Sequence, residues 1–184
     1  MMVYAYYGLI FVWVFFEVFL SLLIRSSKGK DLSFDKGSIR LIWLVIVLSV
    51  FLGVYTGVRW GYKSMPWLVA GTLVIALGIL LRVVAILSLR KAFTTDIAIR
   101  ESHELKTDGL YSRIRHPSYL GSIISFLGLG ISTGNWVSVL LLLLPITGIF
   151  LYRISLEEKM LLQHFGETYA AYRSRTKRLF PYIY

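Results

Sequence analysis

The sequence contains no cysteine, which excludes disulfides and thiolate metal sites and leaves the compartment open. Histidine is almost as scarce: three residues without HExxH spacing give no reason to expect zinc. No glycine-rich turn follows a strand-like run, so nucleotide cradles of the Rossmann and P-loop types are absent. No serine, histidine and acid stand in an order from which a hydrolytic triad can be inferred. Acids are few as well. Ten Asp and Glu against 20 Lys and Arg leave a formal charge of +10. That surplus flanks apolar runs, which assigns it to membrane topology and anionic lipid; neither a nucleic-acid nor a metal partner is expected.

What is present is hydrophobic. Of the 184 residues, 57% are apolar, gathered in long runs with almost no charge, the mark of transmembrane helices rather than of a soluble core. The fold class expected is an all-α integral membrane protein with five spans: 4–24, 41–58, 67–89, 117–132 and 136–151. The first has no basic leader and no small-residue cleavage site, and reads as an anchor. Between the fourth and fifth, Ser132, Thr133, Gly134 and Asn135 make a tight turn, giving a C-terminal helical hairpin. Residues 1–66 form an N-terminal two-span region. Residues 67–184 form a second region of spans three to five, a cytosolic loop 90–116 and a cytosolic C-terminal helix.

The basic residues orient the spans. The connections 25–40, 90–115 and the tail from Arg153 hold five, six and six Lys or Arg, whereas 59–66 holds two and the hairpin turn none. Positive residues stay inside, so the N-terminus lies outside and the C-terminus and polar passages face the cytosol.

Four polar features stand on that side or within the spans. The stretch Gly109 to Gly121, GLYSRIRHPSYLG, sets Tyr111, Arg115, His116 and Tyr119 at the start of a helix opened by Pro117. A helix start presents free N–H groups and a positive dipole end, a natural seat for a carboxylate. It also fits a plain interfacial belt of Tyr, Arg and His. Arg153 and Glu157, four apart on the last helix, share one face; Arg before Glu is the weaker order for a helix pair, so local stability explains it poorly. The segment HELKTDGLY, His103 to Tyr111, is expected to be a loop or strand-like lead into the helix start. Finally, Arg82 and Glu17 lie inside spans, where ionisable groups are paired, snorkelled or functional.

GLYSRIRHPSYLG, followed by EEKMLLQHFGETYAAY and preceded by LRKAF and HELKTDGLY, resembles the isoprenylcysteine carboxyl methyltransferase family and, more broadly, the membrane-embedded phospholipid methyltransferases. The likeness covers about residues 89–181. It implies methyl transfer from S-adenosylmethionine to a lipophilic acceptor, a prenylated cysteine in the eukaryotic enzymes, with a cytosolic cofactor pocket. Carried over by position, the cofactor residues are His103, Glu104, Leu105, Lys106, Tyr111, His116, Pro117, Ser118, Tyr119 and Glu157, with Asp96 in a looser alignment. Arg153 falls at the family's acceptor side, and Arg90 is positioned for the same task. Two positions depart: Leu110 stands where many members have proline, and Lys106 where the side chain is usually apolar. A membrane reductase using NADPH and a non-enzymatic lipid-binding scaffold are the competing readings. The acceptor stays open among a prenylcysteine, an amine headgroup and an isoprenoid or fatty acid.

Overall fold

The computed structural model describes residues 11, 13–15, 35–62, 64–89 and 105–180. Its elements are α1 (Asp35–Trp60), α2 (Met65–Leu89), a 3₁₀ turn (Gly109–Ser112), α3 (Pro117–Ser132), α4 (Trp136–Phe165) and α5 (Glu167–Arg175). Among the described residues there is no strand, and the only β-type pairing is an isolated parallel bridge between Ile114 and Lys177. The all-helical expectation holds.

Among the described residues three helices are long and apolar enough to cross a membrane: Gly37–Trp60, Met65–Leu89 and Trp136–Phe165, with mean hydropathies of 2.4, 2.6 and 2.1. The expected second and third spans lie inside α1 and α2, and the fourth coincides with α3. The fifth is longer than its apolar run. Nothing between Leu151 and Phe165 breaks a helix, so α4 continues through its charged portion and stops at Gly166, whose φ is +52°. Of the expected first span, residues 11 and 13–15 are helical, and Trp13 packs edge-on against Phe126 of α3 at 4.9 Å. The rest, with Glu17, lies outside the described residues.

Packing order differs from chain order: α2 lies along α3, α3 against α4, and α4 against α1. The α2–α3 contact has a local cause. Gly71 and Gly78 are seven apart on α2, facing Gly121, Ser125, Gly128 and Ser132 on α3. A Cβ on Gly78 would lie 2.5 Å from the Ser125 nitrogen, and one on Gly121 would lie 2.7 Å from the Arg82 nitrogen. Lipid tails are as apolar as leucine, so helices in a bilayer gain by close backbone approach rather than by hydrophobic burial. The glycines of LGLG, Leu127 to Gly130, serve this chain internally: Gly128 meets Ile75 of α2, and Gly130 meets Val139 of α4.

On the other flank, Asn135 caps α4 by accepting the Val137 N–H at 2.9 Å, and its amide donates to the Thr56 carbonyl of α1 at 3.2 Å. Thr56 and Ser138 hydroxyls pair at 2.9 Å between α1 and α4. Leu142, Ile146, Ile149, Phe150 and Ile154 of α4 fill the core between α1 and α3. The result fixes the start of α3 beside the middle and far end of α4.

Candidate functional site

The lead-in to α3 is irregular over residues 105–107 and then turns tightly at Gly109, whose φ of +58° suits glycine. Leu105 is half-buried here. The side chain of Lys106 is engaged by Asp108, with Nζ 2.8 Å from its Oδ1. That bond holds the exposed Asp108 carboxyl below its ordinary range. Tyr111 is buried, and its hydroxyl donates to the Ala85 carbonyl of α2 at 3.3 Å. Its own carbonyl accepts from the Tyr172 hydroxyl at 2.7 Å. Burial raises the Tyr111 hydroxyl well above the ordinary tyrosine range.

His116 is the N-cap of α3 without a side-chain capping bond, and Pro117 occupies the first turn. The His116 ring stands edge-on to Tyr119 with centroids 5.9 Å apart, and Tyr119 stands edge-on to Phe150 at 5.4 Å. The Tyr119 hydroxyl donates to Glu157 Oε2 at 3.2 Å, joining the first turn of α3 to α4. The same oxygen lies 4.0 Å from His116 Nδ1. Ser118 faces away from this triangle: its hydroxyl and carbonyl accept from Arg82 Nη1 at 3.0 and 3.2 Å. The intramembrane arginine therefore anchors the start of α3.

The structure thus gathers His116, Tyr119 and Glu157 at one place. Arg153 lies one helical turn before Glu157 on α4, is 2% exposed, and donates from Nη1 to the Ser38 hydroxyl of α1. Arg90, His103, Glu104 and Asp96 lie outside the described residues.

The most heavily bonded acid at this end is Glu158, which the sequence reading passed over in favour of its neighbour. It is 4% exposed. Its Oε1 accepts from Arg115 Nε at 2.7 Å, its Oε2 from Arg178 Nε at 2.9 Å, and Oε1 lies 3.5 Å from His116 Nε2. Arg115 further donates to the carbonyls of Arg173, at 3.2 Å, and Thr176. The available signal was scarcity. In a chain with ten acids, two adjacent glutamates on an apolar helix leave the axis about 100° apart and need separate partners, and basic residues stand ready in RIRHP and TKR.

Around the start of α3 the arrangement offers a cap-free helix end, a half-exposed carboxylate at Glu157 and a ring and hydroxyl beside it. Such a seat suits a ligand bearing both an anionic and a cationic or hydroxyl group.

A family model for phospholipid methyltransferases matches residues 66–168. Among curated proteins, a protein-S-isoprenylcysteine O-methyltransferase of Schizosaccharomyces pombe is 38% identical over 111 residues, covering 59% of this chain and 47% of that protein. Protein-S-isoprenylcysteine O-methyltransferase B of Arabidopsis thaliana is 36% identical over 126 residues, covering 67% of this chain and 64% of that protein. The chain thus spans about half to two thirds the length of these relatives. A solved structure of the eukaryotic intramembrane Ras methyltransferase, isoprenylcysteine carboxyl methyltransferase, aligns with a TM-score of 0.61 at 27% identity. That alignment covers 85% of this chain and 55% of the other.

Proposed function

This chain belongs to the phospholipid methyltransferase family, and from that premise we propose that it is a membrane methyltransferase forming the methyl ester of an isoprenylcysteine-like carboxylate. The observation that carries the reading is the meeting of His116, Tyr119 and Glu157 at the uncapped start of α3. The curated relatives named above, all isoprenylcysteine O-methyltransferases, support the acceptor class.

The methyl donor is S-adenosylmethionine, and the residues fit it in charge. The helix start, without a side-chain cap, receives its carboxylate, and Glu157 with the Tyr119 hydroxyl receives its ammonium or ribose. By position in the family motif, His103, Glu104, Leu105 and Lys106, with Tyr111, Pro117 and Ser118, belong to the same cofactor region. When bound, this cofactor supplies an electrophilic methyl on a sulfonium, which departs as a neutral thioether.

Methylating a carboxylate removes no proton, so no residue has to act as a base. The chain's task is placement and exclusion of water. Arg153, bonded to Ser38, would hold the acceptor carboxylate, and Arg90 is assigned the same task by its position in the sequence. The acceptor's hydrocarbon tail arrives through the bilayer. Helix α3 has 16 residues and rises about 24 Å, short of the ~30 Å hydrocarbon core, so its start opens within reach of lipid. The topology that goes with this is five spans, N-terminus outside, with the pocket and C-terminus cytosolic and residues 67–184 as the catalytic region.

The test is transfer of isotopically labelled methyl from S-adenosylmethionine by the detergent-purified chain, offered N-acetyl-S-farnesylcysteine, phosphatidylethanolamine or farnesoic acid. Base-labile label in the farnesylcysteine is the expected result. Label confined to either other acceptor would reassign the substrate, and no transfer by folded protein would count against the reading.

A further inference from the structure

The start of α3 is held in place by chain that comes some sixty residues later. The Arg115 N–H donates to the Lys177 carbonyl at 2.8 Å, the His116 N–H to the Arg178 carbonyl at 3.0 Å, and the Lys177 N–H returns to the Arg113 carbonyl at 3.1 Å. So short a parallel pairing does not support itself. Its side chains supply the hold. Leu179 is 1% exposed and Thr176 is buried, with the Thr176 hydroxyl donating to the Tyr172 carbonyl at 2.7 Å. The Arg178 guanidinium reaches Glu158 on α4, the carboxylate that also receives Arg115 and lies against His116 Nε2.

We infer that residues 176–180 are a strap that positions His116, fixing its backbone through the Arg178 carbonyl and its ring through the Arg178–Glu158 pair. His116 stands between two carboxylates, Glu158 on its Nε2 side and Glu157 on its Nδ1 side. The first of these is immobilised by two arginines; the second is half-exposed and bonded to Tyr119. Glu158 therefore acts as the fixed reference, and the ring edge turned towards Glu157 and Tyr119 is set by it. Arg178 and Glu158 are positioning residues, acting on the ligand only through His116. The inference deepens the proposed function and rests on it for the identity of the ligand.

Arg178→Ala is the variant of choice, because Arg115 still neutralises Glu158 and the buried carboxylate is not left unpaired. Two measurements on the full-length detergent-purified protein test the strap. The first, without ligand, is amide hydrogen exchange over residues 110–120. The second is equilibrium binding of S-adenosylhomocysteine to wild type, Arg178→Ala, Arg178→Lys, His116→Ala and the double variant. The strap predicts exchange faster by about tenfold in Arg178→Ala, affinity lower by about tenfold, and recovery to within about threefold in Arg178→Lys. Because Arg178 acts through His116, adding Arg178→Ala to His116→Ala costs less than about threefold more. Unchanged exchange, or losses that multiply in the double variant, would overturn the strap. If the wild type binds no S-adenosylhomocysteine while the exchange response appears, the methyltransferase reading fails and the hold on His116 stands.

Discussion

Along α2 and α3 the two backbones meet over glycine and serine, at distances where a single added carbon would strike a main-chain nitrogen. At the start of α3, by contrast, the same helix is tied to α4 and to the C-terminal tail by Arg115, Arg178 and Glu158 and by backbone pairing. The two regions solve one problem, the placement of α3, with different physics. In the apolar region position is set by exclusion of volume, because water release contributes nothing there. At the polar end it is set by a charge network whose members are far apart in sequence. The first kind of contact leaves no room for a ligand and no tolerance for change. The second leaves one carboxylate, Glu157, half-exposed beside a fixed ring, which is what a binding site requires.

The sharpest way to break this contrast is to place the same substitution on both sides of it. Gly121→Ala puts a Cβ within 2.7 Å of α2 backbone, whereas Gly148→Ala on α4 meets nothing within 4 Å. Gly121→Ala should cost about 3 kcal/mol or more, seen as loss of monodisperse protein and a lower melting temperature in detergent. Gly148→Ala should be neutral or stabilising by about 0.5–1 kcal/mol. Equal responses would show that the α2–α3 approach is looser than described.

The polar end has its own sensitivity, to pH. The Tyr172 hydroxyl, donating to the Tyr111 carbonyl, is pushed up to about 12 by burial. Below about 10, the ordinary tyrosine value, both folded and unfolded forms keep the proton. Above it the unfolded form loses its proton first, so the stability this hydroxyl contributes is lost as pH rises from about 10 towards 12. Tyr111 and Tyr169 are shifted in the same direction by burial. Hydrogen exchange over residues 105–115 should accelerate in that window, and a Tyr172→Phe difference in tyrosinate absorbance should titrate near its upper end. A difference centred near 10 would mean a water-exposed hydroxyl.

The same contrast explains what could be read from sequence. Apolar runs, Pro117 and the Ser132–Asn135 turn are local, and α3 falls at the expected residues. The gathering of His116, Tyr119 and Glu157 was also legible, since the first two share a helix face and the resemblance supplied the third. The helical extension beyond the fifth apolar run, carrying Arg153 and Glu157, was legible as well, and the helix persists to Phe165. What stayed hidden was non-local. Nothing in the spacing of Arg153 points to Ser38, 115 residues earlier, and nothing near Arg82 points to Ser118. Glu158 and Arg178, although 20 apart, are brought together only because α5 folds back at Gly166. Charge networks are assembled by tertiary structure, and sequence periodicity carries no record of them.

The central claim is that the start of α3 is the seat of a methyl donor, with Glu157 as its half-exposed anionic partner. Equilibrium binding of S-adenosylmethionine and S-adenosylhomocysteine to wild type and Glu157→Gln, with NADPH as control, tests it most directly. The account predicts saturable binding of both to the wild type, weakened by about tenfold in Glu157→Gln at unchanged melting temperature, and none of NADPH. Folded protein that ignores both sulfur ligands and binds NADPH would contradict it.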